Sequence, residues 1–131
     1  MTPTVDYQIK SAENLVVHTV RPGYSTQCLF DSYLARCNDP DYEQGQGILW
    51  HFTPGAAPLE FTQSSLLHAA DDRVRPDSPS YRVALLTDDE AVFGSLRQYA
   101  AIGSNDLIQH NVFRDINKAL DWLQHAVPDR T

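Results

Sequence analysis

Residues 82–90 read Arg-Val-Ala-Leu-Leu-Thr-Asp-Asp-Glu (RVALLTDDE), and their reading decides the fold class. Val83–Leu86 is a short, continuous apolar run, the pattern of a strand buried on both faces. It ends in Thr87 and three acids, with Thr87 and Glu90 at capping-box spacing for a helix. That helix places Val92, Leu96, Tyr99, Ala100 and Gly103 at helical intervals. A buried strand running straight into a capped helix is the unit of an α/β layer structure.

The same unit recurs on both sides. Ile48–Phe52 (ILWHF) is a second buried strand, left through the loop TPGAAP, and a helix is expected from about Gln63 to the RPDSPS break. Downstream, Gln109–Phe113 predicts a strand and Asp115 a cap. Ile116, Ala119, Leu120 and Leu123 then match the i, i+3, i+4, i+7 template. Upstream, Tyr7–Lys10 and Leu15–Val20 flank the turn-forming SAEN and predict a hairpin. Ser25 is placed to cap a helix through Cys37 that carries Leu29, Tyr33 and Cys37 down one side, with Phe30 and Leu34 alongside. The expected order is β-β-α-β-α-β-α-β-α: an α/β mixed sheet of about five strands with about four helices.

The chain has 131 residues, which fits one domain, and residues 1–131 are read as a single unit. Its net charge is −7 and its ten Lys and Arg are scattered, so no basic stripe for nucleic acid or patch for anionic lipid is present. No apolar run approaches a membrane span, and the N-terminus lacks the pattern of a signal peptide. Cys28 and Cys37 lie nine residues apart on the first expected helix, on opposite sides and ~13 Å apart along its axis. A disulfide between them is excluded on that helix, and reduced cysteines point to the cytoplasm.

The C-terminal half carries more specific motifs. Phe93-Gly94 on the helix after RVALL, followed by Val112-Phe113-Arg114-Asp115 through Trp122-Leu123, resembles the SpoIIAA-like family of the STAS superfamily. That superfamily holds the anti-sigma-factor antagonists and the tails of sulphate transporters. The N-terminal half is similar in element order. The resemblance implies helices packed mainly on one face of the sheet, and a non-enzymatic protein that acts by binding another protein. It also implies a switch site: the antagonists' phosphorylated serine, within Asp-Ser-Ser-Gly-Leu, falls on Ser64. Here the acid is Gln63 and the glycine is Leu66.

A helix N-terminus suits a phosphate, through its unbonded N–H groups and its dipole. The plainer reading is that Thr62 or Ser64 caps the helix. Ser64, His68 and Asp72 share a helix face, but a serine one full turn from its base, without a nucleophile elbow, makes no triad. No catalytic residue is assigned. The surface expected to meet a partner runs over Thr53–His68, with Thr62, Gln63, Ser65 and His68 named, together with Asp88 and Asp89 at the following strand end. Acids in a first helical turn also simply suit the dipole.

Of the five histidines, His18, His51 and His110 fall in expected strands, and none has metal-ligand spacing. Neither a metal nor a cofactor is expected, because no glycine pattern for a nucleotide occurs either. A homodimer is expected if the sheet leaves an edge or face uncovered. The alternative function is a carrier of a small apolar ligand or lipid, in a pocket between sheet and helices bounded by Phe93, Tyr99 and Trp122.

Overall fold

The computed structural model describes residues 4–43, 45–58, 81–103 and 108–124. Strands β1 (Val5–Lys10) and β2 (Leu15–Val20) form the expected antiparallel hairpin. They are joined by a 3-10 turn at Ser11–Glu13. Asn14 closes that turn at φ 56, in the left-handed region that asparagine tolerates better than most residues, and its N–H donates to Ser11 O. Strands β3 (Gly47–Phe52), β4 (Tyr81–Leu86) and β5 (Ile108–Phe113) then add in parallel, giving one mixed sheet in the order β1-β2-β3-β4-β5.

Three α-helices lie among the described residues: α1 (Thr26–Cys37), α2 (Glu90–Gly103) and α3 (Ile116–Gln124). The helix expected from Gln63 lies outside the described residues. Ser25 caps α1 as expected, accepting from Cys28 N at 3.2 Å. Asp115 likewise accepts from Asn117 N at 2.8 Å at the head of α3.

Alternation along the strands divides the core in two. Val16, Val20, Ile48, Phe52, Val83 and Leu85 face Leu29 of α1 and Val92 and Leu96 of α2. Leu15, Leu49, Ala84 and Leu86 face Ala119 and Leu123 of α3. β3 and β4 therefore read as continuous apolar runs because both of their faces are covered. Right-handed crossovers advancing in one direction along a sheet put their helices on one side, which explains why α1 and α2 share a face. α3 follows the edge strand β5 and packs over the other face. Leu123 packs closely over Gly47, where a Cβ would meet its Cδ2 in van der Waals contact at 3.4 Å.

The cap of α2 differs from expectation. Asp89, not Thr87, accepts from the first-turn donors, Ala91 N at 2.9 Å and Val92 N at 3.0 Å. Thr87 is buried, and its hydroxyl accepts from Asp89 N at 3.2 Å, which steadies the cap. Glu90 is drawn instead into an ion pair with Arg114. Asp89→Ala is expected to lower stability by about 1 kcal/mol in urea unfolding. Asp88→Ala, which removes no cap, should cost less than half as much; equal losses would refute the assignment.

Candidate functional site

The ends of β3 and β4 gather the described part of the expected partner surface. Thr53 ties the end of β3 to β2, its N–H and hydroxyl donating to Val20 O at 2.9 and 3.0 Å. Gly55 turns the chain at φ 91, Ala56 is buried, and the Tyr24 hydroxyl donates to Ala57 O at 2.6 Å. The segment leaving β3 is thus pinned beside α1 as far as Ala57. Thr62, Gln63, Ser64, Ser65 and His68 follow and lie outside the described residues.

Across the strand ends, Asp88 is exposed and Asp89 is engaged as the helix cap. His51 pairs with Leu86 in the β3–β4 ladder and is half-buried. Burial lowers its proton affinity, while the negative charge of Asp88 pulls in the opposite direction. Asp88, Asp89 and Glu90 are all exposed at this end, but Asp89 caps α2 and Glu90 pairs with Arg114, while Asp88 has an imidazole within its field.

The three residues expected to bound an apolar pocket do not converge. Tyr99 packs with the α1–α2 core and meets His110 edge-on at 5.4 Å. Trp122 lies on the α3 side, where Phe113 is 5.5 Å away and the Arg82 guanidinium sits 4.7 Å over its ring. The sheet stands between these two. Phe93 is covered by Arg114, whose guanidinium lies 4.2 Å from its ring centroid.

A group that sequence reasoning did not bring together lies beneath α1. His18 on β2 is fully buried, stacks on Trp50 at 3.8 Å and 7°, and has Nδ1 2.8 Å from Ser32 Oγ. Burial, and then the positive charge of Arg36, holds its proton affinity well below the usual 6.5, so the ring is neutral. Arg36 is 2% exposed, with Tyr33 and Tyr42 rings 4.9 and 5.3 Å from its guanidinium carbon. Among the described residues, nothing accepts from its Nε or Nη1, and His18 Nε2 has no partner. The Tyr7 hydroxyl donates to Asp39 at 2.7 Å and ties β1 to the chain beyond α1. The signal was Ser32 and Arg36, one turn apart on the inner track of a helix whose neighbouring strand carries a histidine.

Outside this group, a groove of about 500 Å³ runs between β1 and α1, with Val5, Tyr7, Cys28, Ser32 and Ala35 among its lining. Cys28 and Cys37 are both free thiols. Hydrogen bonding from Ser25 and then Thr4 lowers the Cys28 thiol below its ordinary value. Among the described residues, no group of three or more His, Cys, Asp or Glu side chains could hold a metal ion. Nor is any helix among them long and apolar enough to cross a membrane. No protein-family model, curated protein or solved structure matches this chain.

Proposed function

We propose that this chain is a non-enzymatic, cytoplasmic, STAS-like module that binds another protein through the C-terminal ends of β3 and β4, with Ser64 as its switch when phosphorylated. The observation that carries the reading is the position of Asp88. It stands exposed at the end of β4, beside the strand from which the Ser64 segment departs, while its neighbours Asp89 and Glu90 are occupied by the cap and by Arg114. A carboxylate left to solvent there suits a partner surface with a basic residue, and a phosphate on Ser64 would add negative charge to the proposed surface. The element order and the motifs from Phe93-Gly94 to Trp122-Leu123 support the STAS-like part of the reading.

A photo-crosslinking side chain at position 88, introduced in the living host, tests this. A discrete adduct is expected there and not from exposed Gln98 on α2, and Ser64→Glu should alter its yield. Equal labelling from both positions, or no discrete adduct at position 88, would remove the reading.

A second reading, a carrier of a small ligand, is favoured by the donors beneath α1. The unpartnered Arg36 Nε and Nη1 suit a carboxylate-bearing ligand rather than a purely apolar one. Native mass spectrometry of protein recovered from the host is expected to show one bound acid on this reading; only the bare chain mass would exclude it.

A further inference from the structure

We infer that a second copy of this chain pairs with β1, antiparallel, about a two-fold axis at Gln8. The pairing extends the five-stranded sheet into a continuous one of twice the width. This inference is independent of the partner surface at the other strand ends.

The argument begins with which backbone groups of β1 point outward. β1 is the terminal strand in the sheet order. Arg21 N donates to Thr4 O at 2.7 Å, which makes Thr4–Arg21 a hydrogen-bonded position of the hairpin ladder. Alternation then makes Asp6–Thr19, Gln8–Val17 and Lys10–Leu15 the next such positions. The N–H and C=O groups of Val5, Tyr7 and Ile9 are left pointing away from β2, and among the described residues no strand takes them. A row of such groups is a template for another strand.

Side-chain charge then selects the register. An antiparallel second copy must place odd-numbered residues opposite odd-numbered ones, so that both outward-pointing sets meet. An axis at Asp6 sets two carboxylates against each other, and an axis at Lys10 sets two ammonium groups together. Axes at Tyr7 or Ile9 oppose Gln8 to one charge. Only the axis at Gln8 pairs Asp6 with Lys10 of the second copy, and does so twice. These pairs fall at non-hydrogen-bonded positions, where facing Cα atoms are about 4.5 Å apart and side chains are closest. Like charges directly opposite are destabilising there, so the alternatives are disfavoured as well as unrewarded.

The surroundings agree with this register. Asp6 accepts from Arg21 through Oδ2 at 3.0 Å, which holds its carboxylate in place on the sheet face away from α1. Among the described residues no carboxylate pairs with Lys10. On the α1 face, Tyr7 pairs with Ile9 of the second copy. That isoleucine reaches the groove walled by Val5, Tyr7 and Ala35, both it and Tyr7 being only half-buried in one copy.

Sedimentation analysis of the full chain at low salt, with circular dichroism on each variant, tests the proposal. The unmodified chain is expected to sediment as a dimer. Lys10→Asp and Asp6→Lys should each weaken it about tenfold, and the double exchange D6K/K10D should restore it. Ile9→Pro should give a monomer with an unchanged spectrum, because proline there removes an outward N–H and leaves the β2 ladder intact. As a readout that needs no charge change, Gln8→Cys should form an intermolecular disulfide under mild oxidation that neither the unmodified chain nor Gln98→Cys forms. A monomer at the highest soluble concentration, single reversals that leave the dimer unchanged, or a Gln8→Cys chain that stays uncrosslinked would each overturn it.

Discussion

Arg36→Met is expected to raise the unfolding free energy by about 1–3 kcal/mol, measured by urea denaturation at neutral pH. Arg36 is a buried cation without an acid among the described residues, and its Nε and Nη1 make no hydrogen bond there. Removing such an ion from water costs several kcal/mol. The faces of Tyr33 and Tyr42 offset part of that, at about 0.5–2 kcal/mol for each cation–π contact. Methionine keeps the length of the side chain and makes favourable sulfur–aromatic contacts of about 0.3–1.5 kcal/mol with the same rings. The balance favours the neutral side chain. A residue that costs stability where it stands is the expected mark of a site kept for another purpose. A loss above about 1 kcal/mol in the variant would mean that both donors are already satisfied in solution, which would remove the support they give to the carrier reading.

The strands were legible because each carries its own boundaries. Val, Ile, Leu and aromatic residues are bracketed by Gly, Pro, Asn and Asp, and the five predicted runs differ from the observed strands by two residues or fewer at any end. The Ser25 and Asp115 caps were legible for a similar local reason: a short polar side chain precedes a periodic run. What failed was information that lies between elements. Periodicity fixes which residues of a helix point together, but not which side of the sheet receives them. Tyr99 and Trp122 therefore looked like neighbours and lie on opposite faces.

The inner track of α1 shows a second limit. Spacing of exactly four residues drifts about 40° per step around a helix of 3.6 residues per turn. The expected stripe Leu29, Tyr33, Cys37 accordingly drifts off the buried track, which is Leu29, Ser32, Tyr33 and Arg36. Two polar residues on that track were legible as letters but not as a site. Only the fixed rotation of α1 over β2 brings Ser32 to His18. The choice of Asp89 over Thr87 as the α2 cap was hidden for a related reason, since it depends on the burial of Thr87. Of the proposed partner surface, Thr62 through His68 lie outside the described residues, so its legibility rests on Thr53 through Ala57 and on Asp88 and Asp89.

Acid should destabilise the fold well above the carboxylate range. Between about pH 6.5 and the lowered value of folded His18, each pH unit is expected to remove about 1.4 kcal/mol. His18 holds its proton more weakly folded than unfolded, because burial and then Arg36 disfavour the imidazolium. In that window the unfolded chain binds one more proton than the folded chain, so stability rises with pH there. It is fully present above 6.5 and falls as the solution becomes more acidic. His51 shifts in the same direction, but it is half-buried and opposed by Asp88, so its share is smaller. Asp39, lowered by hydrogen bonds from Asp41 N and then Tyr7, acts only below 3.8 and leaves this window clear. Urea midpoints at about pH 7.5, 6.5 and 5.5 measure the slope. His18→Leu should flatten it to the His51 remainder, with Ser32 free to turn its hydroxyl to the Cys28 carbonyl one turn back. An unaltered slope in that variant would show that the titrating group lies elsewhere. An imidazole of His18 that titrates near 6.5 by NMR in the folded, unmodified chain would show the same without any substitution. Burial and the cation beside it both disfavour a charged His18, so protonation in acid strikes the polar group beneath α1.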